Sequence, residues 1–139
     1  MNIKNYTSQA EASNSIAKIK SLLIDAHARD IIERYNNGVC IGLAFVIPLY
    51  NRHFTFELPV RHKEVSDYLR KHKNMSEKVA NEQALRTAWA LLRDWVQIQL
   101  TMIYLEQAEP LELFFPYLTD GQQTYYEKIK SNDFKQLSA

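Results

Sequence analysis

A chain of 139 residues with one cysteine, Cys40, can form neither a disulfide framework nor a cysteine-based metal site within itself. Its three glycines leave no material for a glycine-rich phosphate loop, and there is no Gly-x-Ser-x-Gly elbow to present a nucleophilic serine. The four histidines, His27, His53, His62 and His72, are scattered over three predicted elements, with His62 and His72 at opposite ends of one helix. No His-x3-His or His-Glu-x-x-His spacing places two imidazoles on one ion. Long apolar runs are missing too: none reaches the roughly 18 residues of a membrane span, and MNIKNYTSQA at the N-terminus has no continuous apolar core of a signal peptide. Cys40 lies within an apolar strand, which predicts a buried, inert thiol. These absences lead us to expect a cytoplasmic protein with no catalytic motif, no cofactor and no metal.

No single sign of charge dominates either. The formal net charge is +1, which argues against a dedicated nucleic-acid coater and leaves room for a local basic face. Residues 1 to 78 hold twelve Lys or Arg against eight Asp or Glu, net +4; residues 79 to 139 hold five against eight, net −3.

What is abundant is helical periodicity. From Glu77 to Gln107 no Gly or Pro interrupts the chain, and at about 100 degrees per residue the apolar side chains fill well over half the circumference. Leu85, Ala88, Trp89, Leu92, Trp95, Val96, Leu100, Met102 and Ile103 form the centre of that arc, with Leu91, Ile98 and Leu105 towards one edge. A helix of this kind is a scaffold, covered on two sides. Arg86, Arg93, Gln97 and Tyr104, with Asp94 and Thr101 opposite, make its wet edge. Gln99 falls inside the apolar arc, so a partner from a strand or loop backbone is expected for its amide.

Before this helix, residues 1 to 12 read as a polar arm. Ser15 to His27 is amphipathic, with Ser13 or Asn14 as N-cap and Ile16, Ile19, Leu22, Leu23 and Ala26 on one face. The period then changes to two. Ile31 to Tyr35, Val39 to Ile47 and His53 to Leu58 read as three strands, the first two joined by Asn37-Gly38, the signature of a type I′ hairpin. Arg61 to His72 is a second amphipathic helix, and Ser76 caps the long one. Leu111 to Phe115 and Gln122 to Lys130 predict short helices, with Phe114 and Phe115 in the core, and residues 131 to 139 a tail. The fold class is therefore α+β, in one domain over 1 to 139: a three-stranded antiparallel meander packed on a long central helix, in the order α-β-β-β-α-α with a small helical C-terminal cap. The first five elements follow the order of a double-stranded-RNA-binding domain. Arg61-His62-Lys63-Glu64-Val65, however, stands where that domain carries its Lys-Lys-x-x-x-Lys phosphate grip.

Two surfaces are candidates for binding. Arg61, Lys63, Arg70, Lys71, Lys73 and Lys78, against Glu64, Asp67 and Glu77, give a basic helix face of net +3, which Arg52, Arg86 and Arg93 extend. Such a face suits sequence-tolerant contact with nucleic-acid phosphates. The C-terminal segment Glu106 to Tyr126 is acidic and aromatic, and Glu109, Glu112, Tyr117 and Tyr125 are its candidate contacts with a protein partner or a second copy of the chain.

At Gln83-Ala84-Leu85-Arg86-Thr87-Ala88-Trp89, Asp94-Trp95-Val96-Gln97-Ile98-Gln99, Phe115-Pro116-Tyr117-Leu118 and Thr124-Tyr125-Tyr126-Glu127, the chain resembles a group of small proteins encoded by bacteriophages and prophages. Tyr6-Thr7, the first helix and Phe56-Glu57-Leu58-Pro59 extend the resemblance over most of the chain. It implies a phage-like gene context, and with it either nucleic-acid handling in replication or recombination, or the blocking of a host defence. It carries over no catalytic or binding residue.

Overall fold

The computed structural model describes residues 1–138. Its elements run α1 (Ala12–Asp25), β1 (Asp30–Asn36), β2 (Val39–Leu49), β3 (Arg52–Pro59), α2 (His62–His72), α3 (Glu77–Tyr104), α4 (Pro110–Phe114), a 3-10 turn (Phe115–Tyr117), α5 (Tyr125–Ser131) and a second 3-10 turn (Lys135–Leu137). The α+β class and the element order are those the sequence predicts. Two compact units share the chain: one comprises Met1–Leu22 and Val60–Gln99, the other Leu23–Pro59 and the residues from Leu100 onward.

In the first unit, Leu69, Ala80 and Ala84 form a buried cluster against which Tyr6, Val65, Tyr68 and Met75 pack. Alanines at 80 and 84, one turn apart on α3, allow the close approach that this cluster needs. Trp89, Ala90 and Val96 are fully buried farther along the helix. At the start of α3 the Ser76 hydroxyl accepts from the Val79 amide at 3.4 Å, so serine caps the helix as the sequence predicts. Ile98, placed on the apolar arc by its spacing, is 56% exposed. Gln99 is only half-buried and its amide keeps access to solvent, so it has no need of the backbone partner expected for it.

The second unit holds the sheet, ordered β1-β2-β3 and antiparallel throughout. Asn37 (φ 51°) and Gly38 (φ 78°) both take the left-handed conformation that the β1–β2 hairpin requires. The β2–β3 connection is tighter than the expected loop, because Leu49 pairs with Arg52 and leaves Tyr50 (φ 52°) and Asn51 (φ 60°) as a two-residue turn. A β-bulge lies at Arg34/Tyr35; its extra residue is Ile41 of β2, so β1 stays regular. Gly42 is needed for close approach: a Cβ there would stand 2.8 Å from the Leu58 carbonyl oxygen. Phe45 and Phe56, stacked at 5.3 Å between ring centroids, meet Phe114 at 5.4 and 5.7 Å. All three rings are fully buried.

Scarce glycine shapes the helix ends. α1 closes with the Ala28 amide on the Leu23 carbonyl, α3 with Gln107 on Met102, and α5 with Phe134 on Ile129. The left-handed residue within each closure is His27 (φ 69°), Glu106 (φ 59°) or Asp133 (φ 58°), where glycine is the usual choice. The Glu106 closure is also why α3 ends at Tyr104, short of the predicted Gln107. α1 starts three residues earlier than predicted, because the Glu11 carbonyl already accepts from Asn14 and Ser15.

Candidate interaction surfaces

The polar arm is a built part of the first unit. Thr87, fully buried on α3, donates its hydroxyl to the Asn5 carbonyl at 2.7 Å and accepts from the Gln83 amide at 3.0 Å. Gln83 also donates to the Ser8 carbonyl at 3.0 Å. Lys4 lies 3.1 Å from the Asp94 carboxylate, and the Asn5 amide donates to the same group at 2.9 Å. Burial by itself would raise the Asp94 pKa, but bonds from Asn5, Lys4 and Arg93 more than offset it and hold the carboxyl below its ordinary value. The Tyr68 hydroxyl donates to the Met1 carbonyl at 2.7 Å.

This network changes the basic face. Arg86 donates to the Gln83 side-chain oxygen at 2.7 Å, and Arg93 bonds Asp94 at 3.0 Å and Ser15 at 3.3 Å. Both arginines are half-buried, so the expected wet edge of α3 is covered by the arm over this stretch. Lys73 bonds Asn2 and stands 4.6 Å over the Tyr6 ring. Arg70 pairs with Asp67 at 2.6 Å. Arg61, Lys63, Lys71 and Lys78 are exposed and make no ion pair or side-chain hydrogen bond among the described residues. Arg52 belongs to the second unit. Of the nine cations read as a basic face, four thus remain uncommitted around α2 and the start of α3, interleaved with exposed Glu64, Asp67, Glu77 and Glu82. His62 Nδ1 is buried with no partner among the described residues.

The acidic aromatic segment is also rearranged. Glu109 and Glu112 close a reciprocal capping box on α4, with Pro110 at its first turn. The Tyr50 hydroxyl donates to Glu109 at 3.2 Å and its pKa is raised by that carboxylate. These two glutamates are structural first. Tyr117 is half-buried. Tyr125 is 37% exposed and meets Phe115 edge-on at 4.5 Å. Phe115, expected in the core beside Phe114, is itself 37% exposed. Tyr126 and Phe134, at 50% and 39% exposure, lie 6.3 Å apart. Tyr126 closes the acidic, aromatic segment read from the sequence, and Phe134 lies beyond it; the signal that could have found Phe134 is an aromatic ring in a mostly polar tail. Here that tail continues in the 3-10 turn Lys135–Leu137.

Beside the Arg34–Glu57 pair (2.9 Å) lies a polar pocket of about 320 Å³ bounded by Thr119, Gln123, Thr124 and Glu127. Both of its carboxylates are engaged, Glu57 by Arg34 and Glu127 by the Thr124 amide at 2.8 Å. The Asp120 carboxyl is held well below the usual range, mainly by Lys128 and by the Gln122 and Gln123 amides. Cys40 is half-buried rather than buried, its thiol 3.6 Å from the Gly42 carbonyl. Among the described residues no group of three or more His, Cys, Asp or Glu is arranged to hold a metal ion, and no helix is long and apolar enough to cross a membrane. No protein-family model, no curated protein and no solved structure matches the chain.

Proposed function

We propose that the protein acts by association, docking a basic surface of another protein on the acidic, aromatic surface of its second unit. The observation that carries this reading is the pair of exposed ring contacts, Phe115 with Tyr125 and Tyr126 with Phe134, on a unit with six Lys or Arg against ten Asp or Glu, net −4. Exposed ring pairs on a unit with a net charge are the kind of apolar anchor, with a steering field around it, that an interface uses. The same negative charge disfavours a nucleic acid there. The resemblance to phage-encoded proteins makes a bacterial lysate the place to look, and the inhibition of a host protein the kind of consequence to expect.

A second reading, sequence-tolerant nucleic-acid binding, is favoured by the uncommitted cations Arg61, Lys63, Lys71 and Lys78 on a unit of net +5, with eleven Lys or Arg against six Asp or Glu. Capture from bacterial lysate with and without nuclease separates the two. The first reading expects a basic protein retained after nuclease treatment and released as salt rises. Retention of nucleic acid alone, with log affinity for duplex falling by about 0.9 per neutralised phosphate against log salt, would replace it with the second.

A further inference from the structure

We propose that two copies of the chain pair through the outer edge of β1, extending each three-stranded sheet across a two-fold axis centred on Ile32. The sheet order leaves β1 and β3 as edges. β3 is partly occupied: Phe56 bridges to Leu118, and the Thr119 amide donates to the Thr55 carbonyl at 2.9 Å. β1 has no second strand neighbour among the described residues, and its side chains lie open, with Ile32 43% and Tyr35 61% exposed. The Asp30 and Arg34 side chains are 56% and 46% exposed, each with one partner inside the chain, Arg29 at 3.6 Å from Asp30 and Glu57 at 2.9 Å from Arg34. A regular edge carrying exposed apolar residues is a template for a further strand.

The charge pattern identifies a second copy as that strand. Antiparallel pairing about a two-fold axis puts one residue opposite itself. Centring on Asp30, Glu33 or Arg34 sets like charges against each other, while centring on Ile31, Tyr35 or Asn36 leaves at most three residues of the seven-residue strand in register. Ile32 at the axis pairs Asp30 through Arg34, the stretch that the bulge leaves regular. Ile32 then meets its own copy, and Asp30 faces Arg34 of the second copy on both sides of it. Asp30, Ile32 and Arg34 share one face of the strand, so each contact joins exposed groups of matching chemistry. Arg34 retains Glu57 at 2.9 Å and gains a second carboxylate.

Sedimentation of the full chain at about 100 µM, a concentration that populates even weak specific interfaces, tests the pairing. The wild type is expected to sediment as a dimer that weakens with salt. Asp30→Arg alone and Arg34→Asp alone should each be monomeric, and an equimolar mixture of the two should dimerise, because each supplies the charges that the other lacks. Ile32→Lys, which opposes like charges at the axis and spares the Arg34–Glu57 pair, should also be monomeric with unchanged circular dichroism. A monomeric wild type, single variants that stay dimeric, or a mixture that stays monomeric would overturn the proposal.

Discussion

The two units handle polarity in opposite ways. In the first, polar side chains turn inward: Gln83, Thr87 and Asp94 stitch an arm of the chain to α3, and Arg86 and Arg93 bond to Gln83 and Asp94 in turn. In the second, rings both fill a core (Phe45, Phe56, Phe114) and lie open to water (Phe115, Tyr125, Tyr126, Phe134). Of the fourteen large exposed apolar residues, only Met1, Val79 and Ile98 belong to the first unit. The charge that the first unit bonds to its own arm is not open to a partner, whereas open apolar area gains by being covered. The comparison therefore directs attention away from the longest basic run in the sequence and towards the rings.

The largest effects should come from the two cores. Trp89→Ala in the first unit and Phe45→Ala in the second each remove a fully buried ring and should lower stability by about 3 to 5 kcal/mol in urea melts; near-wild-type melting of either would dissolve the contrast at its base. Thr87→Val keeps the shape but leaves the Asn5 carbonyl without its donor, with an expected cost of about 1 to 3 kcal/mol. A neutral result would mean that the arm is not anchored there.

A pH-dependent effect concerns Asp94. Its folded pKa is depressed, so its contribution is fully present above the unfolded carboxylate value near 4 and is lost as pH falls through the lower folded value. Asp94→Asn should therefore be less stable than wild type at pH about 7, with the gap closing below pH about 4. An unchanging gap would assign the loss to packing. Smallest are the helix ends of the second unit. His27→Gly, Glu106→Gly and Asp133→Gly relieve left-handed strain and should each raise stability by about 0.5 to 1 kcal/mol. Losses instead would show that those side chains hold something else.

Much of the fold was legible because it rests on short-range pattern. The period-two run at Val39–Ile47 and Asn37-Gly38 locate the hairpin, and the unbroken 3.6 period locates α3. What spacing could not provide was long-range pairing of polar groups. Arg86, Arg93 and Asp94 have the periodicity of a wet edge, and only the arm, about 80 residues away in sequence, turns that edge into an interior. Glu109 and Glu112 read as surface charge, yet their three-residue spacing around Pro110 is also a capping box, the local reading that prevails. Phe114 and Phe115 are indistinguishable by composition; the helix phase buries the first and exposes the second.

The central claim is that association runs through the rings of the second unit and not the cations of the first. The most direct measurement is capture from nuclease-treated bacterial lysate by three proteins side by side: wild type, Tyr126→Ser with Phe134→Ser, and Lys63→Ala with Lys71→Ala. All are expected to melt within about 1 kcal/mol of one another, since every changed residue is exposed. The ring variant should lose the captured protein and the lysine variant should keep it. Capture that survives the ring changes and disappears with the lysines would contradict the account.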